Sequence, residues 1–388
     1  MNHIVNSSII ESHGIRDPAS TPFFSIGVTT YNRPELLKQT LATITKQTFS
    51  DFEVIVGNDY IQEPLYAELL GIRDQRIRFV NHSRNLGEEQ NMNTLLDMGR
   101  GRYFTWQCED DLYAPNFLED VHSALVKYNF PPCVFTSYEL IYGTSFHDVK
   151  KTTPGHAQSF SGRQFLRMYW SGKLKAIGCA GVYDKGYLRR IGGVECLADT
   201  HRPLYSEHLL LVRAGLLEKV AYIDEPLVNY RIHEGAWGGT ANDLSLYKQA
   251  SENLVRKSIT VFSNPELRDD FCQNIASVLK FVVTDYFAKA RSKDGCLSRL
   301  EVVPFFFSLK KQFDSLEGSG LYRNALVSWG WTGVRLVWLL STKFNIKAVI
   351  FPLLFKFTYF LRLPFGRQSQ DSSLQGREQD RNSPSSTL

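Results

Sequence analysis

The sequence predicts an α/β protein: a mainly parallel sheet with helices on both faces, followed by a helical C-terminal extension. Three observations point there. From Phe23 onward, apolar runs of strand length alternate with segments whose apolar residues recur at helical spacing. Those runs are nearly continuous, as in strands buried on both faces of a covered sheet. The chain has 388 residues, 43% of them hydrophobic, enough for one large domain with an appendage or for two domains.

The elements follow in order. "FFSIGVTT" (residues 23–30) is the first strand. In "NRPELLKQTLATITKQT" Pro34 suits a first helical turn, and Leu37, Leu41 and Ile44 share one face. "DFEVIVGND" (51–59) is the second strand, a weaker helix is expected over Glu63 to Leu70, and "RIRFVNH" (76–82) is the third strand. "GEEQNMNTLLDMGRG" (87–101) is a helix with acid in its first turn and glycine at its end. "RYFTWQ" is the fourth strand, "PNFLEDVHSALVKY" a helix and "PCVFTSYELIY" another strand. After Tyr142 the regularity weakens. Helices are expected over "SFSGRQFLRMYWSGK" and "YSEHLLLVRAGLL", a strand, turn and short helix over "IGCAGVYDKGYLRRIGGV", and a strand with its loop over "VAYIDEPLVNYRIHEG". From about Asp243 the pattern is helical. The expected division is a flexible leader (1–21), an α/β domain (22–240), a helical extension (241–366) and a disordered tail (367–388) rich in Ser, Gln, Asp and Arg.

The formal charge of +4 does not suggest a nucleic-acid partner. The six cysteines are scattered, without C-x-x-C or metal-finger spacing, which fits reduced thiols in a cytoplasmic protein. The first twenty residues lack a basic start followed by an apolar run, so no secretory signal is expected. No G-x-G-x-x-G follows the first strand, which argues against a dinucleotide-dependent oxidoreductase.

In a parallel covered sheet, ligands bind at the carboxyl ends of the strands. Here those ends read "TTYNR", "GNDY", "NHSRN" and "CEDD". Oxygen donors on a loop suit Mg2+ or Mn2+, which take one or two protein carboxylates and complete their shell with phosphate and water. Glu109, Asp110 and Asp111 could equally be a solvated helix start, since Pro115 opens a helix nearby and acids favour that end.

The combination is more specific than the cluster. "SIGVTTYNRPELLKQTLATITKQTFSDFEVIVGND" with "NLGEEQNMNTLLDMGRGRYFTWQCEDDLYAPNFLE" resembles family 2 glycosyltransferases of the GT-A fold, over about Phe23 to His233. The resemblance implies that Thr30 and Tyr31 line a nucleotide pocket, with Arg33 on the same donor side. It implies that Asp59 bonds the base or ribose, beside Asn58 where an acid is often found. Asn85, Gly87 and Asn93 match the segment that approaches the donor diphosphate. Asp110 matches the metal ligand, Glu109 faces the ribose or the metal's waters, and Asp111 caps the next helix. Cys108 stands where relatives often keep an acid.

Inverting sugar transfer needs a base for the acceptor proton and no covalent enzyme intermediate. The family's E-D-x-x-L-x-x-R helix resembles "YSEHLLLVRAG". Counting back from Arg213 places the catalytic acid on Glu207, with Ser206 before it and His208 as a packed histidine. "YRIHEG" resembles the family's Y-R-x-H close, so Arg231 would meet phosphate and His233 metal or diphosphate. Trp170 and Trp237 would flank the acceptor. The resemblance thus implies a nucleoside-diphosphate-sugar donor, a glycan or lipid-linked acceptor and a role in cell-surface polysaccharide synthesis. The departures at Cys108, Asn58 and Ser206 motivate an alternative, a catalytically impaired binding partner in an assembly complex. Residues 328–366 are apolar and aromatic with Arg335, Lys343, Lys347, Lys356 and Arg362 spaced through them. That pattern suits either a helix in the interface of an anionic membrane or a helical cap. A cytoplasmic location follows, peripheral on the inner face of the membrane if the helix binds there.

Overall fold

The structure is a computed structural model that describes residues 21–145, 149–150, 156–235, 243–294 and 299–344. Its centre is β1 (Phe24–Thr30), flanked by β2 (Phe52–Asn58) and β4 (Tyr103–Cys108), with β3 (Ile77–Asn81) outside β2; all four run parallel. The short β8 (Val182–Asp184) is antiparallel to β4 and joins it to β6 (Cys133–Tyr142), which pairs in parallel with the long β9 (Val220–Ile232). Two short strands, β5 (Leu112–Tyr113) and β7 (Ala157–Phe160), pair antiparallel with β9. The sheet order is β3-β2-β1-β4-β8-β6-β9-β5.

Helices cover both faces. Alternate residues of β1 (Phe24, Ile26 and Val28) pack with Leu37, Leu41 and Ile44 of α1 (Pro34–Thr45) and with α3 (Phe117–Lys127). The opposite face buries Ile55, Phe104, Trp106 and Phe135 against α2 (Glu88–Met98), α4 (Gly162–Trp170) and α6 (Ser206–Ala214). Full burial of such side chains contributes about 1.5–3 kcal/mol each. Gly27 faces α2 because a Cβ there would press on the Phe104 ring and on Leu95. A short helix, α5 (Lys185–Arg190), follows β8 with Asp184 capping it through Tyr187 N–H at 2.8 Å.

Two expectations need correction. Residues 63–70 form turns, not a helix. Pro64 lacks an N–H, and two asparagine side chains satisfy this backbone instead. Asn58 donates to Glu63 O at 2.9 Å, and Asn81 both accepts from Leu65 N–H (2.8 Å) and donates to Leu65 O (3.0 Å). Asp111 does not cap α3, which starts after Asn116; its Oδ1 accepts the Arg231 backbone N–H at 2.8 Å.

Residues 1–329 form one compact unit, so the extension helices α7 (Leu244–Phe262), α8 (Phe271–Asp294) and α9 (Arg299–Lys310) belong to the same body as the sheet. Arg163 and Arg167 of α4 both bond Asp270, at 2.5 and 2.6 Å. Residues 330–388 form a second unit, described only as far as Phe344, the end of α10 (Tyr322–Phe344). Most of the basic apolar stretch, including Lys347, Lys356 and Arg362, lies outside the described residues, as do residues 1–20 of the leader and the tail. Among the described residues no helix is long and apolar enough to cross a membrane. Five of the six cysteines are described, and none of those is bridged.

Candidate active site

The carboxyl end of β1 leads into a sharp turn. Asn32 adopts φ 53°, a left-handed conformation that asparagine tolerates, and Pro34 then opens α1. The turn delivers Thr30, Tyr31 and Arg33 to the acids that end β4. Glu109 is the hub. Its carboxylate accepts from the Thr30 hydroxyl and from Tyr31 N–H (3.1 Å), and pairs with Arg33 Nε at 2.6 Å. Arg33 Nη1 reaches Asp110 Oδ2 at 3.1 Å, and His233 Nε2 lies 3.2 Å from the same oxygen. Thr40 of α1 places its hydroxyl 2.7 and 2.8 Å from the carbonyls of Glu109 and Asp111 and shares one proton between them.

Burial dominates the titration of this cluster. It pushes Glu109 up to about 7, against the stabilising pull of Arg33 and Thr30. Burial also works against the Arg33 charge, but Glu109 and Asp110 outweigh it and raise its pKa. Asp111 and the Cys108 thiol are pushed well above their usual ranges, by burial first and then by the neighbouring carboxylates.

Arg231 is 1% exposed and works from behind the acid loop. Its Nε donates to the Asp110 carbonyl, its Nη1 to Gln39 Oε1 at 2.5 Å, and its backbone N–H to Asp111. Sequence reasoning assigned Arg231 to phosphate. In this structure it clamps the loop that carries Asp110, and its Nη2 is buried without a hydrogen-bond partner.

Ligand atoms of Cys108, Asp110 and Asp111 lie within 4.8 Å of one another. Their chemistry separates them. The Cys108 thiol stays protonated and Asp111 already serves the Arg231 amide. Asp110 Oδ2 and His233 Nε2 lie 3.2 Å apart, which brings one carboxylate oxygen and one ring nitrogen, both of donor types that divalent cations take, to the same point.

The third and second strand ends meet differently. Asp59 accepts Leu86 N–H at 2.6 Å and Gly87 N–H at 2.7 Å, and Asn85 Oδ1 also accepts Gly87 N–H at 2.9 Å. Gly87 has φ 79°, and a Cβ there would overlap His201. Asn93 donates to Val194 O (2.8 Å) and accepts Val194 N–H (3.0 Å). Asp59 and Asn85, expected at the donor, hold the loop before α2, and Asn93 ties α2 to the segment after α5; a donor contact would have to share those bonds. Tyr31, 48% exposed, meets Tyr60 edge-on at 5.3 Å, a partner that sequence reasoning did not single out.

A second feature adjoins this rim. α6 starts after Tyr205, held left-handed at φ 60° while its hydroxyl donates to Asp285 of α8 at 2.5 Å. The Ser206 hydroxyl bonds Glu195 O, and the Glu195 carboxylate meets Arg213 and, at 2.5 Å, Lys257. Glu207 then projects into a cavity of about 250 Å³ with Tyr138, Tyr169 and Tyr230. Its side chain is 40% exposed at the cavity mouth, yet the low-dielectric surroundings push its carboxyl up to about 7. His208 stacks on Phe281 with centroids 3.9 Å apart, and burial pushes it down to about 4. It is therefore neutral, and its 3.8 Å approach to Glu207 is no ion pair. Trp170 does not line the cavity, and Trp237 lies outside the described residues. The aromatic side chains that line it are Tyr138, Tyr169 and Tyr230.

Residues 25–192 match the model of glycosyl transferase family 2. The chain carries a family 2 glycosyltransferase domain. It is 26% identical over 242 residues to an uncharacterized glycosyltransferase of Rickettsia typhi, covering 61% of this chain and 73% of that relative. It is also 26% identical over 121 residues to the Escherichia coli enzyme WfgD, UDP-Glc:alpha-D-GlcNAc-diphosphoundecaprenol beta-1,3-glucosyltransferase, covering 31% of this chain and 47% of WfgD. Among solved structures, S. aureus TarS 1-349 in complex with UDP-GlcNAc aligns at a TM-score of 0.58 and 15% identity, covering 80% of this chain and 86% of that one. The fold of this glycosyltransferase is the GT-A fold.

Proposed function

We propose that this glycosyltransferase is inverting, uses Glu207 as its general base, and moves a sugar from a nucleoside diphosphate to a hydroxyl of a glycan or lipid-linked acceptor. The observation that carries the reading is the pairing of one charged rim with one poised carboxyl. The rim joins Thr30, Arg33, Glu109, Asp110 and His233, and beside it Glu207 stands with its pKa raised to about 7. A base of that strength is matched to neutral pH.

In the proposed reaction Glu207 takes the acceptor O–H proton as that oxygen bonds to the anomeric carbon. The bond from that carbon to the diphosphate oxygen breaks, and its electron pair leaves with the nucleoside diphosphate. Arg33 faces the leaving group from the donor side. Tyr31 and Tyr60 offer ring surfaces for the base. Asp110 and His233 would hold Mg2+ or Mn2+, which when bound supplies a Lewis acid for the diphosphate. The TarS complex with UDP-GlcNAc supports a nucleotide-sugar donor, and WfgD supports a role in surface polysaccharide assembly.

The departures that motivate an impaired binding partner have structural roles of their own. Asn58 holds the loop after β2, Ser206 bonds Glu195, and Asp110 with His233 supplies donors without Cys108. The division into 1–21, 22–240, 241–366 and 367–388 stays part of the proposal. So does peripheral membrane binding by the basic apolar stretch, which flotation with anionic vesicles tests; unbound full-length protein would count against it.

A screen of nucleotide sugars with Mn2+ or Mg2+ tests the main reading. Metal-stimulated nucleotide release from one donor is expected. Binding without turnover across all donors and acceptors would favour the impaired alternative.

A further inference from the structure

The acceptor cavity has a composition that selects its occupant. Tyr138, Tyr169 and Tyr230 surround Glu207, and among the described residues that line the cavity none is Lys or Arg. The only ring nitrogen there belongs to His208, which burial keeps neutral. The nearest guanidinium in sequence, Arg231, follows Tyr230 on a strand whose side chains alternate between faces. Tyr230 therefore enters the cavity while the Arg231 side chain turns to the Asp110 carbonyl and Gln39. A phosphate placed beside Glu207 would meet a carboxylate and no compensating cation. A sugar ring meets aromatic faces for its C–H surface and tyrosine hydroxyls for its own.

The surface continues outward in the same character. In the parallel pairing of β6 with β9, Leu140 faces Tyr230 and Tyr142 faces Ile232. All four are exposed, and period-2 alternation puts them on the face that carries Tyr138. Tyr138 and Tyr230 have centroids 6.5 Å apart. The cavity thus opens onto an apolar ribbon suited to a second ring of the same glycan.

We infer that the acceptor presents an uncharged sugar ring, as the end of a glycan and not as a lipid phosphate, to the cavity formed by Tyr138, Tyr169, Tyr230 and Glu207. The inference rests on the glycosyltransferase reading above and narrows its acceptor. A hydroxyl of that ring forms the new C–O bond, its proton passes to Glu207, and the nucleoside diphosphate departs with the bonding pair.

The experiment measures nucleotide release and product formation with the donor chosen by the screen. Methyl glycosides and disaccharides of common hexoses and N-acetylhexosamines form one arm, and undecaprenyl phosphate in detergent the other. Neutral glycosides should accelerate release and receive the sugar, with disaccharides ahead of monosaccharides. Tyr169→Ala and Tyr230→Ala should each raise the glycoside KM by about tenfold or more with donor KM unchanged, and Phe at either position should restore the part that the ring face supplies. Transfer to undecaprenyl phosphate, or no response to any glycoside while nucleotide binding is intact, overturns the inference. So does an unchanged acceptor KM in folded Ala variants. A protein that binds no nucleotide sugar at all fails at the underlying reading, and calorimetric titration with UDP and UDP-GlcNAc identifies that case separately.

Discussion

The acid rim at the end of β4 and the cavity around Glu207, proposed as donor and acceptor sides, surround their carboxyls differently. At the rim, Glu109, Asp110 and Asp111 are each answered by a named donor: Arg33, Thr30 and Tyr31 N–H for Glu109, Arg33 and His233 for Asp110, and Arg231 N–H for Asp111. In the cavity, Glu207 has tyrosines for neighbours and no cation among the described lining residues. The first arrangement gives its acids named donors, yet burial still lifts Glu109 to about 7. The second gives Glu207 no such partner, and burial alone lifts it to about 7. β9 divides the two, sending Tyr230 to one side and Arg231 to the other.

That contrast can be broken at either end. At the rim, Asp110→Ala should have the largest effect, removing the oxygen shared by Arg33 and His233. Loss of about 10²–10³-fold in transfer is expected, comparable to deleting one charge-stabilising group. The response to added Mn2+ should vanish with it, which a metal titration of the rate would show. A smaller effect should come from pH. Glu207 must be ionised to act, so kcat/KM should fall about tenfold per unit as pH drops below about 7. A flat profile between pH 5 and 7 would place the base elsewhere.

Asn93→Ala tests the tie between α2 and the segment after α5. It removes both bonds to Val194, leaving a backbone N–H and a carbonyl without partners. A loss of about 1–3 kcal/mol is expected, read as an earlier denaturation midpoint with an unchanged m-value. The smallest effect concerns the cost of Glu207 itself. Its carboxyl rises from 4.5 to about 7 on folding, so the folded state holds the proton more tightly. That contribution is fully present below pH 4.5 and is lost as pH rises through about 7. Glu207→Gln should therefore melt slightly higher than the natural protein at pH 8 and not at pH 4.

The parallel core and the rim were legible in the sequence because strand ends carry their own signature. "TTYNR" and "CEDD" lie at matched ends of β1 and β4, where Thr29 pairs with Cys108. Glu207, singled out by counting from Arg213, lies on the helix that the Arg213 link to Glu195 fixes, and its role as base is part of the proposal. The helix expected over 63–70 failed because asparagines at the ends of β2 and β3 captured its backbone, and the Asn81 pairing is invisible to local periodicity. The three tyrosines were missed for a similar reason. Tyr138 follows register shifts between β6 and β9 at Thr136/Ser137 and Ser137/Tyr138, and Tyr230 reaches it only through that pairing. Trp170, the more conspicuous aromatic, sits one residue beyond Tyr169, which is the side chain that enters the cavity.

The Glu207→Gln variant also separates the two regions most directly, by measuring nucleotide-sugar affinity and turnover on one sample. If the donor rim binds and Glu207 takes the proton, the Kd for the donor stays within about twofold while kcat falls by about 10²–10⁴. Turnover within tenfold of the natural protein, or loss of donor binding in step with loss of rate, would contradict that division of labour.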